Sequence, residues 1–168
     1  MADNTELTLA IEDPSQPEIA ALLRDSDAFA AALYPSKSNH HMPPGALHAA
    51  NVHFLVVRNG SGRAVGTGAL VCHGSWAELK RMWVIPAVRG LGISRMLLAA
   101  LEARARREGV ETLMLETGVQ NHAAHGLYIS AGFARCDLFG DYQPDPFSVF
   151  MRKELATAAD DQLGVEAS

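Results

Sequence analysis

Residues 78–109, ELKRMWVIPAVRGLGISRMLLAALEARARREG, read in order as a strand, a glycine turn and a helix. Leu79, Met82, Val84 and Ile85 form an apolar extended run. Pro86 ends it, because proline has no N–H for a sheet ladder and restricts the residue before it. The turn Arg89-Gly90-Leu91-Gly92 comes directly after. Glycine lets the backbone come close to a ligand, and the turn opens into a helix whose first amides lack internal partners and attract anions. From Ile93 onward, Met96, Leu97, Ala100 and Leu101 recur at helical spacing, with Arg95, Glu102, Arg106 and Arg107 on the other side. That is an amphipathic helix, and Gly109 stands where a left-handed cap would end it near Glu108.

A chain of 168 residues, 48% apolar, suits one globular domain, here residues 1–155, with the small, acidic segment 156–168 expected to fray. Fourteen basic against nineteen acidic side chains give a formal charge of −5, which offers no footprint for nucleic acid. Cys72 and Cys136 match no metal or redox spacing and read as reduced core thiols. The opening MADNTELTLA has neither a basic start nor an apolar core, and no apolar run is long enough to span a bilayer. The expectation is a cytoplasmic protein without membrane partners.

On either side of residues 78–109 the elements alternate. Leu7, Leu9 and Ile11 suggest a first strand, ended by Asp13-Pro14-Ser15. Ile19 to Leu33 fits one or two helices, and the segment from Tyr34 to Pro44, rich in breakers, reads as a loop. His40 and His41 lie in it without a nearby Cys, Asp or Glu, so no metal is expected. His53–Val57 and Ala64–His73 are strands joined by the hairpin turn Asn59-Gly60-Ser61-Gly62. Thr112–Thr117 is a buried strand, parallel to the one bearing Glu78 because a helix crosses between them. Asn121 caps a short helix that Gly132 stops; beyond it come a loop from Leu138 to Pro146 and a last strand from Ser148 to Lys153.

Gly90 and Gly92 alone would serve a tight strand-to-helix connection equally well, and neither G-x-G-x-x-G nor G-K-[ST] is present. The residues after the strand spell Arg89-x-x-Gly92-x-Ser94. This pattern resembles the pyrophosphate-binding motif [Gln/Arg]-x-x-Gly-x-[Gly/Ala] of the GNAT superfamily of acyl-CoA-dependent N-acetyltransferases, with Ser94 in place of the last small residue. A second landmark of that family, Leu-Tyr-x-x-x-Gly-Phe, is matched in full by Leu127-Tyr128-Ile129-Ser130-Ala131-Gly132-Phe133. The resemblance spans Glu6 to Leu155. It implies an α/β (α+β) fold: a mixed, mostly antiparallel central sheet with helices on both faces and a splay between the two central parallel strands.

The resemblance also implies a chemistry, acetyl transfer from acetyl-CoA to a primary amine of a small molecule by direct attack in a ternary complex. Carried over residue by residue, Met82, Trp83 and Val84 would meet the pantetheine arm, and the amides of Arg89, Gly90, Leu91, Gly92, Ile93 and Ser94 the pyrophosphate. Asn121 would touch the arm, although N-capping already accounts for it. Tyr128 matches the family's general acid, with a buried core tyrosine as the alternative. Glu78 resembles the proton-relaying carboxylate, an ion pair with Lys80 or Arg81 being the plain reading, and Glu116 is a second candidate base. The acceptor is expected between the loop Tyr34 to His41, the strand start Glu78 to Arg81 and the loop Gly140 to Asp145, with Tyr34, Asn39, Asp141 and Tyr142 as contacts and Arg81 either gripping the carboxylate of an amino-acid-like acceptor or pairing with Glu78 or Asp141. A non-catalytic acyl-CoA-binding module, a longer acyl group and a homodimer stay open.

Overall fold

The computed structural model describes residues 6–38, 40 and 42–155; Asn39, His41 and the segment expected to fray lie outside the described residues. Seven strands run in chain order as β1 (Thr8–Ile11), β2 (Val52–Arg58), β3 (Ala64–His73), β4 (Trp76–Val84), β5 (Thr112–Gly118), β6 (Ala134–Arg135) and β7 (Ser148–Glu154). The helices are α1 (Pro17–Leu33), α2 (Ile93–Arg107) and α3 (His122–Ser130). Short 3₁₀ turns at Ser36–Ser38 and Pro44–His48 give the breaker-rich segment local structure that its composition conceals. The sheet order is β1-β2-β3-β4-β5-β7-β6, and every pairing is antiparallel except β4 with β5.

Helix α1 runs through Asp25 without a break, which decides between one helix and two. Pro17 starts it at a position where a missing N–H costs nothing. Its residues Ile19 and Leu23 are almost wholly buried. In α2 the apolar stripe of Leu97 and Leu101 has no exposed surface, and each such leucine contributes about 2 kcal/mol by leaving water. Arg104, Arg106 and Arg107 fill its last turn, complementing the negative end of the helix dipole, while its first turn carries no acid. The helix is therefore anchored by its apolar face and electrically open at its N-terminus.

Two features of β4 shape the centre of the sheet. It pairs with β5 only from Trp76 opposite Thr112 to Leu79 opposite Leu115; beyond that point the parallel strands part. On its other edge the register to β3 slips, because Arg81 and Met82 together stand opposite Gly68. Arg81 takes φ = 57°, a left-handed conformation that β-bulges use and that non-glycine residues seldom adopt. Two side chains hold it there. The fully buried Thr67 donates from Oγ1 to the Arg81 carbonyl at 2.9 Å, and the Arg81 guanidinium reaches Asp27 of α1 at 2.5 and 3.4 Å.

The Arg81 side chain is 1% exposed and that of Asp27 33%, so Asp27→Ala leaves a guanidinium buried beside a void. Breaking a buried pair from one side costs about 3–5 kcal/mol, and the partial exposure of Asp27 puts this case at about 3. Urea denaturation of the variant measures the loss; a stability within about 1 kcal/mol of the parent would contradict the bulge-holding role.

Candidate active site

Where β4 and β5 part, a cleft of about 940 Å³ opens, reaching from the N-terminus of α2 to the segment around Tyr142. Fifteen of the candidates named from the sequence line it. They are Met82, Trp83, Val84, Arg89, Gly90, Gly92, Ile93 and Ser94 toward α2, Asn121 and Tyr128 on the α3 side, and Glu78, Arg81, Glu116, Tyr34 and Tyr142 at the other end. Leu91 projects into solvent, 69% exposed, so only its backbone belongs to the turn. Asp141 is exposed and does not line the cleft.

The turn is built as its residues require. Gly90 and Gly92 have φ of +83° and +82°, which a side chain at either position would strain. The first α2 amides have no intrahelical acceptor, and Gly92 offers no side-chain cap. Arg89 lies 4.9 Å from the Trp83 ring and 5.6 Å from that of Phe29, donating from Nε to the Val84 carbonyl at 3.2 Å. Its terminal nitrogens make no hydrogen bond among the described residues. Trp83 Nε1 is also buried there without a partner, an arrangement that costs free energy unless a bound acceptor satisfies it.

At the apex of the splay, Glu116 is the first residue of β5 past the last strand pair and Lys80 the first of β4. Lys80 Nζ donates to the Tyr142 hydroxyl at 2.8 Å, to Glu78 at 3.2 Å and to the His40 carbonyl at 3.1 Å. The Tyr142 hydroxyl donates in turn to Glu78 at 2.5 Å. Glu78 is thus in the ion pair that its neighbour in sequence suggested. His40 Nε2 meets Asp145 at 2.9 Å, where Ser38 also donates at 3.1 Å. Asp145 is held below its ordinary pKa first by the Phe147 N–H and also by His40 and Ser38.

Tyr128 is 6% exposed, and its hydroxyl has no hydrogen-bond partner among the described residues. Burial first, and the nearby Glu116 second, push its pKa well above the usual tyrosine value, so it keeps its proton throughout the neutral range. Glu116 likewise makes no hydrogen bond among the described residues. Burial raises its carboxyl to about 7, against opposing pulls from His40 and Lys80.

Three candidates carry structural duties as well. Tyr34 accepts from the Gln120 N–H at 3.1 Å, and its ring occupies the space where a Cβ on residue 118 would stand, 1.9 Å from the phenol oxygen. It therefore ties the end of α1 to the end of β5. Asn121 caps α3 by accepting from the Ala124 N–H at 3.4 Å. Arg81 pairs with Asp27, where the sequence offers Glu78 or Asp141 as its structural partner, and its buried Nε has no hydrogen-bond partner among the described residues. Sequence reasoning places His40, Lys80 and Asp145 within the segments expected around the acceptor without giving any of them a role there, and it does not single out Phe29. The interruption of the strand pattern by charge at Glu78-Leu79-Lys80-Arg81 is the one local hint of them.

The family model for the acetyltransferase (GNAT) family matches residues 17–133. The chain belongs to this family. An IAA acetyltransferase of Azospirillum brasilense is 42% identical over 151 residues, 89% of this chain and 98% of that protein. Among solved structures, a Klebsiella pneumoniae protein assigned as an acyl-CoA N-acyltransferase superposes with a TM-score of 0.77 at 39% identity, covering 91% of this chain and all of that one. A PaiA N-acetyltransferase of Thermoplasma acidophilum, crystallised with coenzyme A, shares the fold at a TM-score of 0.70 and 16% identity, over 89% and 99% of the two chains. These relatives support an acyltransferase enzyme. Among the described residues no helix is long and apolar enough to cross a membrane.

The Glu116 carboxyl fixes a pH dependence of stability. Its folded value of about 7 exceeds the ordinary 4.5, so between those limits the folded protein keeps a proton that the unfolded chain releases. Stability falls as pH rises through this window, and the full penalty is present above it. At about 1.36 kcal/mol per unit it amounts to at most about 3 kcal/mol. Glu116→Gln should therefore raise stability at about pH 8 and change it little at about pH 4. Denaturant titrations at the two pH values check this; a variant no more stable than the parent at the higher pH would refute it.

Proposed function

We propose that this acetyltransferase moves an acetyl group from acetyl-CoA to the primary amine of a small molecule, by direct attack within a ternary complex. One observation carries the reading. The β4 edge left unpaired by the splay runs between the open N-terminus of α2 and the unengaged Tyr128 hydroxyl. An extended donor with an anionic end fits that path. The amides from Arg89 to Ser94 and the terminal nitrogens of Arg89 suit the pyrophosphate, and the edge from Met82 to Val84 suits the amide-bearing arm. Ser94 brings its hydroxyl beside the phosphates as one more donor.

When bound, acetyl-CoA supplies the thioester whose C–S bond breaks as the C–N bond to the amine forms. The protein's own groups manage the protons. An amine must lose its proton before it attacks, and a carboxylate near pH 7 is a better acceptor than one at its ordinary value. Glu116 is therefore the general base. Glu78, engaged by Lys80 and Tyr142, fixes the wall of the acceptor site. Tyr128, kept protonated by burial, meets the departing sulfur with an O–H donor.

Tyr128→Phe keeps the ring and removes that donor. Turnover should fall on the order of 10²-fold with acetyl-CoA binding intact, as followed by thiol release and calorimetry. Turnover equal to the parent across pH would make Tyr128 structural only. Arg89→Glu puts a negative charge at the turn and should weaken acetyl-CoA binding at least tenfold. Unchanged affinity by calorimetry would remove the turn from the donor site. Acetyl-CoA bound by the parent, with no thiol released in the presence of any amine, would favour a non-catalytic binding module.

A further inference from the structure

The acceptor end of the cleft contains several charges, and their pairing discriminates between classes of amine. This inference rests on the proposed function. Two cations flank the site, and neither offers a ligand an exposed, unpaired head. The Arg81 guanidinium is 1% exposed and held in two contacts by Asp27. Lys80 Nζ already has three acceptors within 3.2 Å, one for each of its protons: the His40 carbonyl, Glu78 and the Tyr142 hydroxyl. The imidazole of His40 is occupied by Asp145. Against these stand the carboxylates Glu78, Glu116 and Asp145. Of the three, Glu116 has no hydrogen-bond or ion-pair partner among the described residues, and it lines the cleft at the apex of the splay, where the amine must arrive.

We infer that the acceptor is an amine without an acidic group next to its nitrogen, received as an ammonium by Glu116. A carboxylate on the adjacent carbon enters a site whose open charge is negative, beside a Lys80 whose three protons are taken and an Arg81 side chain that is 1% exposed. It meets repulsion from Glu116 and Glu78, and reaching either cation means opening the Lys80 network or uncovering the buried Arg81, whose Nε has no partner among the described residues. The ammonium finds in Glu116 a carboxylate at hand, which then takes its proton. This reverses the preference for amino-acid-like acceptors drawn from Arg81 in the sequence. A side chain can be near a site and still be unavailable to a ligand.

The test compares three forms of one acceptor on the parent enzyme with acetyl-CoA: L-tyrosine, L-tyrosinamide and tyramine, and likewise the arginine set of arginine, argininamide and agmatine. The amide removes the negative charge while keeping the size, and it makes the amine less basic. Decarboxylation removes the charge and makes the amine more basic. A preference shared by both over the amino acid therefore reports the carboxylate and not the basicity of the nitrogen. The expected result is a kcat/KM at least tenfold lower for the amino acid than for either partner, with the ratio narrowed in Glu116→Gln.

An amino acid used as well as its decarboxylated amine overturns the inference, and so does a preference for the amide alone. A ratio unchanged in Glu116→Gln overturns the part given to that residue. Each of these leaves acetyl transfer itself intact. Acetyl-CoA that binds by calorimetry but yields no acetylated product with any amine, these six included, overturns the proposed function, and this inference with it.

Discussion

Everything functional in this protein depends on two parallel strands that stop pairing. The ladder between β4 and β5 ends at Leu79 and Leu115, and beyond it the facing backbone edges lose their partners in the middle of the sheet. Buried N–H and C=O groups are costly to leave unpaired, so such a gap persists only where something else holds the strands apart and a ligand or water takes the ladder's place. The left-handed Arg81 does the holding, fixed from one side by Thr67 and from the other by Asp27. The bulge bends β4 away from β5 and turns Met82 to Val84 into an accessible edge. The backbone strain at Arg81, of the order of 1–3 kcal/mol, is offset by a buried hydrogen bond and a buried ion pair. Helix α1 thereby shapes the cleft through Asp27 as well as lining it with Ser26, Phe29 and Ala30.

The two ends of the cleft are prepared for their ligands in opposite ways. At the donor end, charge asymmetry along α2 leaves its N-terminus free for an anion, with three arginines in the last turn and no acid in the first. Arg89 is added on top, its planar head near two aromatic rings and its terminal nitrogens free. At the acceptor end, most of the charges are paired with one another. Lys80, Tyr142 and Glu78 close on one another, and His40 and Ser38 both close on Asp145. A network satisfied in this way is stiff and presents a fixed wall. Glu116, which has no partner among the described residues, is where the chemistry can act.

Local chemistry is what makes part of this structure legible in the sequence. Glycines at 90 and 92 announce a turn, the leucines of α2 announce a helix face, and Asn121 and Gly132 bracket α3, because each signal lies within a few residues of its effect. The two motifs supply Arg89, Gly90, Gly92, Ile93 and Ser94 at one end of the cleft lining and Leu127 and Tyr128 beside it. The parts that escape depend on distant residues. His40 meets Asp145 across 105 positions, Lys80 meets Tyr142 across 62, and Arg81 meets Asp27 across 54. No spacing rule links such pairs. Arg81 shows the consequence most plainly: its type and its place beside the site are legible, but its partner is not, and the partner determines what the residue can bind. The 3₁₀ turns within the breaker-rich segment escape for another reason, since Pro and Ser serve loops and short helical turns equally well.

Glu116 links stability with function. In a purely structural strand its position would suit glutamine or an apolar residue, because a half-buried carboxylate without a partner is costly. The protein keeps it, and keeps it apart from Lys80 and His40, which lie near enough to pull its proton affinity down but make no bond to it. Were Lys80 free to pair with Glu116, the carboxyl would fall toward its ordinary value and become a poor base at neutral pH. The engagement of Lys80 by Glu78 and Tyr142 is what prevents this. The closed network therefore serves the open carboxylate. In the proposed mechanism Glu78 serves by occupying a cation that would otherwise pair with Glu116, and it need not touch the substrate to do so.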